Sequence, residues 1–267
     1  MINLYHNNLS TCSQKVRLAL EFKYVEWNSC HIDLMMGENR KPGFLSINPK
    51  GLVPVLDHDG NIITESSRIN EYIDTNFYGI RLKPENLSDY KAMRFWVDYV
   101  DEVVHTSIGA LTLSTVLRTV QLQRPREVVL EELNALPDGK IKDLKVDLFE
   151  LGVESPYFKY TLRELTEFTK HLANRLADRD WIAGDNVSLA DISVIPYVLR
   201  IEHLGLESFF GGDEYVNSPV HSWVNRMKEL PAYSMAIDKY ITGEDIERIS
   251  ILSRPYKARI EELLNNQ

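Results

Sequence analysis

The chain has 267 residues, of which 44% are hydrophobic and 26% charged. That composition excludes a disordered or fibrous chain and leaves room for one large domain or two ordinary ones. Thirty Lys and Arg against thirty-nine Asp and Glu give a net charge of −9, which would repel a phosphate backbone, so nucleic acid is not an expected partner.

The N-terminus has no basic stretch followed by an apolar one, so no secretory signal is expected. No uninterrupted apolar run approaches the roughly 18 residues of a membrane span. Two cysteines, Cys12 and Cys30, exclude a disulfide scaffold and favour a reducing, cytoplasmic setting. They also leave no Cys-x-x-Cys pair and, with no close His pair at ligand spacing, no metal site is expected.

Residues 2–5 read as an opening strand. Val16, Ala19 and Leu20 then follow the i, i+3, i+4 spacing of a helix with one buried face. Residues 27–32 predict a second strand. Val53-Pro54-Val55-Leu56 and Ile62-Ile63-Thr64 flank an Asp59-Gly60 dipeptide, the sequence mark of a hairpin. Ile69, Tyr72 and Ile73 return to helical spacing. This order predicts an α/β unit with a mixed sheet over residues 1–80.

Beyond Pro84 the character is helical. Residues 88–108 contain one Pro-free, Gly-free stripe through Met93, Val97, Val100 and Val104, the pattern of a long amphipathic helix. Residues 118–160, broken by Pro125, Pro137, Gly139, Gly152 and Pro156, predict an excursion with one helix near 126–136. Further helices are expected over 161–176 and 188–200. The whole of 86–267 reads as an all-α bundle.

Three local motifs carry chemistry. Ser10-Thr11-Cys12-Ser13 lies where the first strand gives way to the first helix, whose N-terminal amides and positive potential can hold an anion such as a thiolate. Ordinary capping by Ser or Thr accounts for the same residues. Pro54 sits inside an apolar strand-like run. A cis bond there would present the Val53 N–H and C=O to an extended peptide, whereas a trans edge-strand proline would not. Glu65-Ser66 opens the next helix, either as a ligand pair or as a cap.

Taken together these motifs resemble the glutathione transferase superfamily across essentially the whole chain. The resemblance implies an α/β thioredoxin-like N-terminal domain (1–80) and an all-α helical-bundle C-terminal domain (86–267). It implies glutathione as co-substrate, a small hydrophobic or aromatic electrophile as second substrate, no membrane partner, and a homodimer. Ser10 corresponds to the serine that contacts the glutathione sulfur, with Ser13 as the alternative register. Leu52, Val53 and Pro54 match the peptide-pairing loop, and Glu65 and Ser66 the pair that holds the γ-glutamyl end. Several classes carry a polar residue where Leu52 stands. Asn39, Arg40 and Lys41 are candidates for the glycine carboxylate. Ser188-Leu189-Ala190-Asp191 is similar to the family's helix-capping box.

Within the family, Trp96 to Glu102, the long excursion after Leu117, and residues 209–217 look like bacterial glutathione-dependent β-etherases. Trp96, Tyr99, Val103 and Ser107 then become candidate walls for the electrophile, though the same stripe is equally a bundle core. Cys12 offers a thiol-transferase alternative, and the scaffold could also serve as a non-catalytic glutathione-binding module.

Overall fold

The computed structural model of the protein describes residues 1–136 and 139–266; Pro137, one of the expected breaks, lies outside the described residues. The elements run β1 (Ile2–His6), α1 (Thr11–Phe22), β2 (Asn28–His31), α2 (Pro42–Leu45), β3 (Val55–His58), β4 (Asn61–Thr64) and α3 (Ser66–Asn76). Then follow α4 (Leu87–Gln121), α5 (Arg126–Asn134), α6 (Lys140–Leu151), α7 (Pro156–Leu176), α8 (Leu189–His203), α9 (Pro219–Lys228), α10 (Gly243–Ser253) and α11 (Lys257–Asn265).

The chain folds into two compact units. The first comprises Met1–Asp98, Asp178–Pro196 and Trp223–Thr242; the second comprises Tyr99–Ala177, Tyr197–Ser222 and the chain from Gly243 onward. The change of element type near residue 80 is therefore not where the compact units divide. The α/β segment recruits two later stretches of helical sequence into its own unit.

In the first unit the sheet order is β2-β1-β3-β4, with β1 parallel to β2 and antiparallel to β3, and β3 antiparallel to β4. This is the mixed sheet expected. The β3–β4 turn places Asp59 and Gly60 both at positive φ, 52° and 88°, the combination that matches strand twist in a two-residue hairpin. Asp57 Oδ1 accepts the Gly60 amide at 2.8 Å and fixes the turn.

Two buried polar networks hold this unit. In one, Lys23 at the end of α1 pairs with Asp74 of α3 at 3.2 Å, both side chains almost fully buried. Asp74 Oδ1 also accepts the Leu82 amide at 2.9 Å, and the Leu82 carbonyl accepts the Leu189 amide at the start of α8 at 3.0 Å. In the capping box itself, Asp191 Oδ2 accepts the Ser188 amide and hydroxyl at 2.9 and 2.8 Å. Its Oδ1 accepts the Ile182 amide and the Trp223 indole N–H, both at 2.9 Å. Burial raises the Asp191 pKa, and these four bonds oppose the shift. Every lone pair the fully buried carboxylate exposes to the core is thus engaged.

In the other network the Arg17 guanidinium is completely buried. Nε donates to the Ala236 carbonyl at 2.7 Å, Nη2 to the Asn8 carbonyl at 3.1 Å, and Nη1 to the Asn7 carbonyl at 3.3 Å and His6 Nδ1 at 3.2 Å. The Tyr240 ring lies 4.5 Å from its carbon. Because arginine only donates, His6 Nδ1 must accept, so Nε2 carries the proton and donates to Ser29 Oγ at 2.7 Å. Burial, then Arg17 and His31, depress the His6 pKa to about 3. His6 is thus held in β1 with both ring nitrogens engaged.

The second unit holds most of α4. The expected helix over 88–108 continues to Gln121 and passes through two π-helical stretches, Val100–Val104 and Leu113–Leu117. Hydroxyls bond back along it: Thr112 to Ile108, Ser114 to Ala110, Thr115 to Leu111 and Thr119 to Thr115. An 18-residue window of α4 reaches a mean hydropathy of 1.2, enough by length and composition to cross a membrane. This corrects the expectation that nothing approaches that length, which rested on uninterrupted apolar runs; a helix with 44% of that window buried has the same composition.

The excursion forms two helices, α5 and α6, around Val129, Leu133 and Phe149. Arg118 caps the C-terminus of α6, donating from Nε to the Phe149 carbonyl at 2.9 Å and from Nη2 to that of Glu150 at 3.3 Å. Gly152, at φ +57°, lets the guanidinium through: a Cβ there would stand 3.0 Å from Arg118 Nε.

Two measurements test these networks. Asp191→Ala strands four buried donors and should cost about 3–5 kcal/mol in urea unfolding, against about 1 kcal/mol for Trp223→Phe, which removes one donor. A loss below 1 kcal/mol for Asp191→Ala would contradict the network. Neutral His6 makes the unfolded chain bind the extra proton, so stability should fall as pH drops from 6.5 towards 3. The His6 contribution is at most about 1.4 kcal/mol per pH unit, and His6→Gln should flatten the slope between pH 6.5 and 5.

Candidate functional site

Strand register brings the motifs together. Tyr5, near the exit of β1, pairs with Val55 at the entry of β3, and Val55 pairs with Thr64 at the exit of β4; on the other side Tyr5 pairs with Cys30 near the exit of β2. The Ser10 turn, the loop following β2, the Val53–Pro54 peptide and Glu65–Ser66 therefore all leave the sheet at one end.

Ser10 is the N-cap of α1 in extended conformation, its Oγ accepting the Ser13 amide at 3.2 Å. The side chain is half-buried, and among the described residues no acceptor takes its O–H proton. Ser13 is fully buried, and its Oγ accepts the Asn7 amide at 3.3 Å. Cys12, on the first turn and in no disulfide, is half-buried. Cys30 is in no disulfide either, and burial followed by Asp57 pushes its pKa up.

The Val53–Pro54 peptide is cis. Among the described residues neither the N–H nor the C=O of Val53 has a backbone partner. The loop before it is braced from within: Asn39 Nδ2 donates to the Gly51 carbonyl at 2.7 Å, and buried Asn48 donates to the Leu52 carbonyl at 2.8 Å while accepting the Lys50 amide at 3.2 Å. Gly51, at φ +63°, is required, since a Cβ would lie 2.9 Å from the Asn39 carbonyl oxygen. Asn39 is thus engaged in shaping the loop, Lys41 faces Glu38 at 3.4 Å, and Arg40 is exposed. Leu52 is 58% exposed.

Glu65 precedes α3 with φ +68° and ψ 114°, a conformation that costs a non-glycine residue energy and marks functional positions more often than others. Its exposed carboxylate takes an ion pair from Lys50 Nζ at 2.8 Å. Ser66, the first residue of α3, is buried. Asn48, Lys50 and the Glu65 backbone escape a sequence reading. The one available signal was the Asn48-Pro49-Lys50-Gly51 turn chemistry itself.

The candidate wall residues divide between the units. Trp96 is buried in the first. In the second, the Tyr99 ring packs 6.3 Å from Phe168 and 6.2 Å from His171, and burial, then Glu164 and Glu167, raise its pKa. Val103 is half-buried and Ser107 buried. Among the described residues no cluster of three or more His, Cys, Asp or Glu could hold a metal.

Comparisons with known proteins give one family. Residues 9–76 match the family described as glutathione S-transferase, N-terminal domain, and residues 149–231 its C-terminal domain. Glutathione S-transferase TCHQD of Arabidopsis thaliana is 27% identical over 255 residues, covering 91% of both chains. Glutathione S-transferase U10 of the same plant is 33% identical over 232 residues, covering 83% of this chain and 81% of that protein. Protein LigF of Sphingobium sp. is 26% identical over 244 residues, covering 89% of this chain and 93% of its own. The crystal structure of β-etherase LigF from Sphingobium sp. strain SYK-6 superposes with a TM-score of 0.77 at 24% identity, over 89% of this chain and 99% of that one. With both domain models matched and a relative 33% identical over most of its length, the chain belongs to the glutathione transferase family.

Proposed function

We propose that the protein binds glutathione at this sheet end, ionises its thiol at Ser10 and transfers it to an aromatic electrophile, with β-aryl ether cleavage as the reaction. The observation that carries the reading is the shared end of the sheet: the Ser10 hydroxyl that caps α1, and a Val53 peptide whose N–H and C=O have no backbone partner among the described residues, emerge from adjacent strands. An extended tripeptide pairing with Val53 would lay its cysteine towards the start of α1. A free thiol titrates near ~8.5, so lowering that value is what the site must accomplish at neutral pH. One Ser10 hydrogen bond to the sulfur, with the amides and positive end of α1, stabilises the anion.

The similarity to the β-etherase LigF supports the finer reaction. There the thiolate attacks a carbon bearing an aryloxy group, the C–S bond forms as the C–O bond breaks, and the phenoxide leaves and takes a proton from solvent. A phenol with pKa near ~10 needs little acid help to depart. A reducing, cytoplasmic setting and a homodimer complete the reading: neither cysteine is in a disulfide, and Leu87, Tyr90 and Phe95 leave exposed apolar surface at the start of α4. Sedimentation at the mass of one chain at micromolar concentration would remove the dimer.

Ser10→Ala should raise the pKa of bound glutathione, read from thiolate absorbance, and cut turnover by ~1–3 kcal/mol of barrier while leaving glutathione affinity nearly unchanged, because the helix amides remain. Ser13→Ala should instead lower stability. Full activity of Ser10→Ala with a dead Cys12→Ala would transfer the chemistry to a thiol-transferase mechanism, and glutathione binding with no thiolate absorbance would make the protein a binding module. With a β-aryl ether ketone carrying a fluorescent phenol, glutathione-dependent phenol release above the uncatalysed rate is expected; none, beside good turnover of an activated aryl halide, would reduce the reaction to general conjugation.

A further inference from the structure

The second unit carries a cavity that the glutathione reading does not use. It lies between the C-terminal half of α7 and the stretch 209–220, with a volume of about 200 Å³. Thr166, Thr169, Lys170 and Ala173 stand at i, i+3, i+4 and i+7, so one face of α7 supplies one whole wall. None of the residues of the site described above lines it.

The lining divides into an apolar part and a part that can only donate. Phe209 and Val220 are buried, and Phe210 is fixed by stacking on Tyr215 at 4.8 Å, whose hydroxyl donates to Glu202 at 2.6 Å. The protons of the two threonine hydroxyls are spent along α7, Thr166 donating to the Leu162 carbonyl at 2.9 Å and Thr169 to that of Thr166 at 3.1 Å. Ser218 Oγ accepts the His221 amide at 3.1 Å, and among the described residues no acceptor takes its O–H proton. The Val220 N–H, on a residue 1% exposed, has no partner among the described residues either. Lys170, 66% exposed, marks the solvent side. It stands 3.9 Å from Glu167, whose other oxygen lies 3.8 Å from His171. One cation and two further donors thus face the cavity, and no acidic residue lines it.

Volume and charge together select a ligand. An apolar cavity of roughly 150 Å³ accommodates benzene, so this one has room for one ring and a short substituent. We propose that it binds a one-ring aromatic carboxylate, the ring between Phe209, Phe210 and Ala173 and the carboxylate towards Ser218, the Val220 amide and Lys170. The ring gains edge or offset contacts with the two phenylalanines, and the carboxylate gives each donor the acceptor it lacks. A cationic ring compound would meet Lys170 with like charge, and a neutral hydrocarbon would leave the donors unmatched.

Equilibrium dialysis of the full chain against 3-phenylpropionate and its neutral amide tests the site. One acid per chain is expected, held more tightly than the amide. Lys170→Met should weaken the acid ~5-fold, the size of an exposed charge pair, and leave the amide unchanged, while Lys170→Arg should keep the parent's affinity for the acid. Ala173→Phe, which fills the cavity, should abolish binding of both. A parent protein that binds neither compound would overturn the proposal. So would an Ala173→Phe chain that binds the acid as well as the parent does, or a Lys170→Met chain that weakens acid and amide by one factor. Urea unfolding checks the variants, and should Ala173→Phe prove unstable, the acid-against-amide comparison in Lys170→Met decides.

Discussion

Arg17 is a cation buried on neutral acceptors. Three backbone carbonyls, an imidazole nitrogen and an aromatic face surround it, and burial lowers its pKa only to about 10, so it keeps its charge at neutral pH. Taking a guanidinium out of water is costly unless its donors are matched. The matching acceptors come from Asn7 and Asn8, the two residues that lead into Leu9 and Ser10, and from Ala236, more than two hundred residues away in the chain. The turn carrying Ser10 is thereby fastened to the C-terminal part of the first unit, and His6 is compelled to stay neutral.

That fastening explains why a unit with an α/β topology draws in helical sequence from further along. The Arg17 cage joins Asn7 and Asn8 directly to Ala236, and the Lys23–Asp74 pair leads through Leu82 to Leu189, at the helix start that the Asp191 box ties to Ile182 and Trp223. Apolar burial supplies the bulk of the stability, but it is indifferent to exact placement. Directional bonds to buried charges are what fix the end of the sheet on which the site is built.

Much of the site was legible because its signals are local. Strand alternation, the Asp59-Gly60 turn, the proline within an apolar run and the Ser188-x-x-Asp191 spacing each act within a few residues, and each appears where the sequence points. Arg17 was not legible as a buried cation, because an arginine on an amphipathic helix looks solvated until its distant acceptors are known. The Lys50–Glu65 pair joins residues fifteen apart through a loop whose shape depends on Asn39, Asn48 and Gly51 together. The limits of the compact units are likewise set by long-range bonds, which periodicity does not record.

The two π-helical stretches in α4 have a bearing on how this chain can be aligned and edited. A π turn accommodates one residue more than an α turn, so the side-chain direction falls behind that of an uninterrupted helix by up to about 100° each time one is crossed. A stripe extrapolated at constant period from Met93 loses phase after Val100 and again after Leu113. Comparisons that thread α4 without gaps will therefore assign the wrong faces downstream, and a single-residue deletion is best absorbed at these two turns, where reversion to α geometry consumes the surplus residue.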